Sequence, residues 1–211
     1  MNRKHREYNN DYPSMTTLLS LLRKPQLEMW FKINTPQFIK EESEKAKTIG
    51  TQLAQAIQSH IELNILKVET QYDIEIINCL KSFMLFKKDY PNIKLHKAEI
   101  KLISETYKIN GTLDSLGYWE EDIIWEWKTG KCKDDIKPPI YDEYVWQNAG
   151  YINLYNDINK TNIKKGCVVS FAKDKIAYNL QVIKGSIIKD SFNNIILPLN
   201  TIWQYQHRKE L

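Results

Sequence analysis

Asp114, Glu126 and Lys128 are the residues of this chain whose types and spacing suit one chemistry together. Glu126 and Lys128 lie in EDIIWEWKTG, a stretch rich in β-branched and aromatic residues that reads as a strand. Successive side chains of a strand alternate faces, so Glu126 and Lys128 point one way while Trp125 and Trp127 point the other. Asp114 closes the preceding strand-like stretch, TYKINGTLDSL. It can meet the other two from a neighbouring strand, where opposed side chains lie roughly 5 Å apart. Two carboxylates converging on one spot repel, and a shared proton or a divalent cation relieves the repulsion. Hard oxygen ligands favour Mg2+ or Mn2+, which keep several waters and bridge to phosphate. Such an ion lowers the pKa of an attacking water, neutralises phosphate oxygens and stabilises a departing oxygen. Lys128 would orient or deprotonate the water, or offset the charge that builds in the transition state. The plainer alternative is a salt-bridged surface hairpin.

Gln147 and Tyr151 stand four residues apart in YVWQNAGYINLYN, a helical stretch, and therefore share a face. Both can hydrogen-bond to a phosphate or a base; Tyr151 taken alone better suits the edge of an amphipathic core. Lys131 follows the Glu-x-Lys segment, with Lys128 and Lys133 beside it. Further basic residues gather at Arg3, Lys4 and Arg6 and at Lys160, Lys164, Lys165, Lys173 and Lys175. Each group reads as a solvated turn or as a phosphate-binding footprint. Trp119, Trp125 and Trp146 offer stacking faces for an unpaired strand, or belong to the core.

The elements that must position these residues can be read along the chain. Residues 1–12 are polar and expected to be loose. MTTLLSLL after Pro13-Ser14 predicts a short helix, which Pro25 interrupts and QLEMWFKI resumes up to about Asn34. Residues 36–66 carry a long helical pattern in which Ile49, Leu53, Ile57 and Ile61 repeat every four residues, with Gly50 a possible helix start. A helix is predicted over about 72–88. Three strands in a meander follow: KLHKAEIKLIS, TYKINGTLDSL and EDIIWEWKTG. Next come the helix bearing Gln147, a strand pair (KGCVVSFA, IAYNLQVI) turned at Lys173-Asp174, and a last helix from near Ser186 that Pro198 breaks. This order predicts a mixed α/β fold, a central sheet flanked by helices.

Size and composition agree with a single domain. The chain has 211 residues, 42% hydrophobic and 27% charged, enough to bury a core and unlike a disordered segment. Its formal charge of +4 is too mild to indicate a nucleic-acid partner by itself. Cys79, Cys132 and Cys167 lack paired spacing, which argues against a zinc knuckle or an iron–sulfur cluster and for reduced thiols. With no long apolar run and no export signal, a soluble cytoplasmic protein without a membrane partner is expected.

The run GTLD…EWKTGK…QNAGY resembles the nuclease core of the PD-(D/E)XK superfamily, in particular its RecB-like exonuclease branch. That branch carries GxxD, then (D/E)xK, then QxxxY; Gly111–Asp114, Glu126–Lys128 and Gln147–Tyr151 match in order. PSMTTLLSLLRKPQLEMWFK upstream is similar to the N-terminal stretch of phage and mitochondrial-genome-maintenance-type exonucleases. The resemblance implies a restriction-endonuclease-like core over 46–211, with 1–45 a helical N-terminal extension of the same domain. It implies metal ligation by Asp114 and Glu126, a catalytic role for Lys128, and a second-metal role for Glu99 on the preceding strand. The implied activity is metal-dependent DNA exonucleolysis in replication, recombination or repair, on DNA that is single-stranded or has a free end. An endonuclease on the same fold, or a DNA-binding module without hydrolysis, remains open. One departure stands out: where relatives carry a histidine four residues after the glycine of GTxxH, this chain has Gly50 and Ala54. His60, further along and on the Leu53/Ile57 stripe, reads as a packed ring and not as a displaced ligand.

Overall fold

The computed structural model describes residues 11–66, 73–132 and 137–207. Arg3, Lys4, Arg6 and Lys133 of the basic clusters lie outside them. Helices α1 (Met15–Leu19), α2 (Pro25–Ile33), α3 (Pro36–Leu63) and α4 (Ile74–Asp89) precede strands β1 (Lys94–Ser104), β2 (Ile109–Trp119) and β3 (Glu121–Gly130). Helix α5 (Asp142–Asn159) then leads to β4 (Lys165–Ala172) and β5 (Tyr178–Lys184), and α6 (Ser186–Ser191) and α7 (Leu197–Gln206) close the chain. The five strands form one sheet in sequence order. Every neighbouring pair is antiparallel except β3 and β4, which are parallel and joined through α5. The fold is therefore a mixed sheet flanked by helices with a helical N-terminal region.

The alternation of β3 divides the core. Ile124 faces α1, α5 and the C-terminal helices, in a cluster with Met15, Leu18, Ala149, Ile152 and Ile196. Ile123, Trp125 and Trp127 face α3 and α4, against Ile57, Phe83 and Phe86. Glu126 and Lys128 accordingly project to the α5 side. Trp125 is fully buried, with Trp127 stacked on it at 5.4 Å and 8°, so it packs the core and offers no face to a passing strand.

Several element ends differ from expectation. Pro25 starts α2, where its missing N–H costs nothing. Gly50 lies inside an unbroken α3, as does position 45/46, where the extension was expected to meet the core. Pro198 does not end the last helix: a π-helical turn over Phe192–Ile196 comes first, and Pro198 falls in the opening turn of α7. The wider turn loosens the repeat where the proline ring would otherwise crowd the preceding turn's carbonyl.

Candidate active site

β2 and β3 pair from Trp119–Glu121 to Ser115–Trp125, and the register carried one step further sets Asp114 opposite Glu126. There the strands part. Asp114 Oδ2 accepts the Trp127 N–H at 2.8 Å, a side chain standing where a backbone acceptor would be. β3 meanwhile stays paired with β4 as far as Gly130, so Glu126 and Lys128 sit on a strand that is held on one edge and open on the other.

Lys128 Nζ lies 2.6 Å from Glu126 Oε1 and donates to Gln147 Oε1 at 3.2 Å. It also stands over the Tyr144 ring, 5.1 Å from the centroid, a cation–π contact. Gln147 Nε2 reaches the Tyr151 hydroxyl at 3.5 Å, a long bond. Tyr144, Gln147 and Tyr151 follow one another at three- and four-residue spacing on the face of α5 toward β3. The three motifs thus meet in space. Tyr144 was missed from the sequence, although its place three residues before Gln147 is a usable signal.

Glu126 is fully buried, and neither carboxylate oxygen accepts a hydrogen bond of good geometry from the protein. Its close contact with Lys128 is an ion pair, and the Asp114 carboxyl lies within hydrogen-bond reach of it, so that with both acids ionised Oε2 has no donor. Burial, reinforced by the charge of Asp114, pushes the Glu126 carboxyl up to about 8, with Lys128 pulling the other way. Asp114 is likewise pushed up by burial, against Lys128 and the Trp127 N–H. At Lys128 burial works to lower the pKa, and the carboxylates of Glu126 and Asp114 overcome it, so the ammonium is held charged. One ammonium is too little positive charge for two desolvated acids.

Glu99 completes a row. The pairs Ala98–Ser115 and Ile100–Leu113 put it opposite Asp114, so Glu99, Asp114 and Glu126 occupy one level of β1, β2 and β3. Its backbone is left-handed (φ 50°), a strained state for a non-glycine residue within a strand. Glu99 is exposed as a residue, yet its carboxyl is partly desolvated against the sheet. That desolvation, and then the Asp114 charge, raise its pKa. Among the described residues no three His, Cys, Asp or Glu side chains gather closely enough to hold one ion between them.

Lys131, the other expected contact, is half exposed and makes its ion pairs with α4 and α3: Glu75 at 3.6 Å and Glu42 at 4.0 Å. Glu75 also draws Lys45 (3.2 Å) and Lys173 (3.8 Å), which makes a mixed charge cluster beyond the ends of β3 and β4. Lys165 leaves the solvated basic group altogether. It is buried, donates to the Trp119 carbonyl at 2.8 Å and lies 4.4 Å from that ring's centroid. His60 packs edge-on against Phe83, 5.6 Å between centroids.

The residues fit a small hard cation. Two raised carboxylates that share too little positive charge would offer two oxygen ligands and leave the remaining positions open, the usual arrangement for Mg2+ and Mn2+.

No protein-family model and no curated protein matches the chain. Among solved structures, the protein SSO0001 matches with 17% identity over 75% of this chain and 80% of its own, TM-score 0.34. The alkaline exonuclease of Laribacter hongkongensis matches with 12% identity over 72% and 80%, TM-score 0.35, and its complex with dAMP with 11% identity, TM-score 0.32. At these identities and scores the likeness says nothing of what this chain acts on.

Proposed function

We propose that the chain is a divalent-metal-dependent deoxyribonuclease. The observation that carries this reading is the pair Asp114 and Glu126 at the parting of β2 and β3, both acids raised, with Lys128 2.6 Å from Glu126. A surface salt bridge would leave its carboxylate solvated; this one is buried and short of partners. Asp114 and Glu126 would hold Mg2+ or Mn2+, which supplies an activated water and charge neutralisation at the phosphate.

The remaining roles fall to the chain's own groups. Asp114, fixed by the Trp127 N–H, keeps one oxygen directed by the backbone. Lys128 stays an ammonium and so serves as a donor to the developing phosphoryl charge instead of as a base. Gln147 holds Lys128 from the far side, and Tyr151 supports Gln147. Glu99 stands one strand away, where it would join a second cation only when substrate and water complete the shell. Exonucleolytic action on DNA with a free end, as the motif resemblance implies, is the form we favour.

The test is degradation of linear and closed circular DNA in Mg2+ or Mn2+. Loss of linear DNA from its ends with circles left intact is the expected result. Cleaved circles would make it an endonuclease, and binding without cleavage in either metal would remove the hydrolytic reading.

A further inference from the structure

A cavity of about 790 Å³ opens beside the Asp114–Glu126–Lys128 cluster, between the α1–α2 connection, α2 and the first turn of α5. Its volume is of the order that small-molecule sites have. Trp30 of α2 faces it from one side, and Tyr141, Tyr144 and Trp146 from the other. Tyr144 is common to both places: its ring lines the cavity and also carries the Lys128 ammonium. Tyr144 therefore stands between the cavity and the candidate active site. α2 buries none of its residues, so this space is one that the protein's own side chains border without filling.

Four aromatic rings around an unfilled space adjoining a phosphodiester site suit planar, unpaired bases, which stack on aromatic faces irrespective of sequence. The rim carries both signs: Asp142 and Glu143 in the first turn of α5, and Arg23 and Lys24 on the α1–α2 connection, where Lys24 reaches Glu143 and the two cations offer phosphates a side to follow. Their ion pairs, Arg23 with Glu28 at 2.8 Å and Lys24 with Glu143 at 3.4 Å, are at or near the surface and weak enough for phosphates to compete. Resting on the nuclease reading above, we propose that this cavity seats the unpaired bases of a DNA strand next to the scissile phosphate, with Trp30 and Tyr141 as stacking faces and Arg23 and Lys24 along the backbone.

The test is fluorescence anisotropy on the full chain in calcium, with a labelled thymidine oligomer and the same oligomer made of abasic residues. The unmodified chain should bind the thymidine strand at least about tenfold more tightly, given the usual worth of a base–aromatic stack. Trp30→Ala and Tyr141→Ala should each weaken thymidine binding by roughly five- to a hundredfold and leave abasic binding unchanged. Equal affinity of the unmodified chain for the two oligomers would overturn the proposal without any variant having to fold. Folded variants that bind thymidine as before, or lose abasic binding equally, would overturn it too. Cleavage of linear DNA in Mg2+ is measured beside it: no cleavage with base-dependent binding intact sinks the nuclease reading alone, and cleavage without base dependence sinks the cavity alone.

Discussion

The ring of Tyr151 occupies the space that a side chain at position 111 would need: a Cβ on Gly111 would lie 2.5 Å from Cε1 and 3.3 Å from Cζ. The first and third motifs are thus parts of one contact. The glycine before Asp114 lets α5 lie close enough to β2 for Gln147 to reach Lys128. A second contact of this kind, which no motif marked, lies below it: Asn148 donates to the Ile124 carbonyl at 3.1 Å, in space that Gly166 of β4 leaves open.

Gly111→Ala should therefore destabilise the fold by about 1 to 3 kcal/mol through crowding. The backbone at Gly111 is not left-handed, so conformational strain adds nothing to this. Adding Tyr151→Ala to Gly111→Ala should cost less than the two single changes summed, with a coupling of about 0.5 to 3 kcal/mol. Denaturant unfolding of the four proteins measures it. Strict additivity would mean that the tyrosine moves aside freely.

Glu126→Gln should lower DNA cleavage about a hundredfold or more and weaken manganese binding. Its melting temperature without metal at neutral pH should hold or rise, because the amide removes an acid that burial disfavours. A purely structural buried ion pair predicts the reverse, a loss of about 3 to 5 kcal/mol. A variant that melts far below the unmodified chain while cutting DNA at a comparable rate would end the assignment.

Lys128→Ala should abolish cleavage and keep manganese binding, since an ammonium is no ligand. Without metal the variant should also be less stable, for two raised carboxylates lose the one positive charge beside them. Manganese should restore much of that difference. Calorimetry and thermal melts in and out of metal give both readouts, and joint loss of metal binding and activity would mark Lys128 as structural.

The geometry at the heart of the candidate site was legible because two local periodicities state it outright. Alternation along EWK fixes the face shared by Glu126 and Lys128, and helical spacing fixes that of Gln147 and Tyr151. The order of the first three strands and the Asp114–Glu126 meeting follow from a meander, whereas the parallel pairing of β4 with β3 does not. Burial was less legible. Trp125 and Lys165 look like a stacking face and a basic patch until the sheet is assembled, and only tertiary packing reveals that both are covered. The left-handed backbone at Glu99 and the π turn before Pro198 are likewise products of neighbours and not of local sequence.

Trp125→Ala makes that correction measurable. A fully buried indole between Trp119, Trp127 and Phe86 should cost about 3 to 5 kcal/mol on truncation, with DNA affinity of the folded fraction unchanged. Normal stability together with weakened single-strand binding would return Trp125 to the surface role.

His60 supplies a pH dependence apart from that of the raised carboxylates. Its ring packs edge-on against Phe83, and burial, then the charge of Lys87, lowers its pKa. The folded chain thus prefers the neutral ring. Its contribution to stability is fully present above the unfolded value of about 6.5 and is lost as pH falls through the lowered folded value. Relative to His60→Gln, the unmodified chain should therefore lose stability as pH falls from about 7 to 5, by less than about 1 kcal/mol because the ring is partly exposed, while the raised Glu126 carboxyl gives both proteins the opposite slope. Cleavage and manganese affinity should survive the change, as they must if Ala54 marks a site that works without a helical histidine. A His60→Gln protein that melts normally yet no longer binds manganese would make His60 the displaced ligand after all.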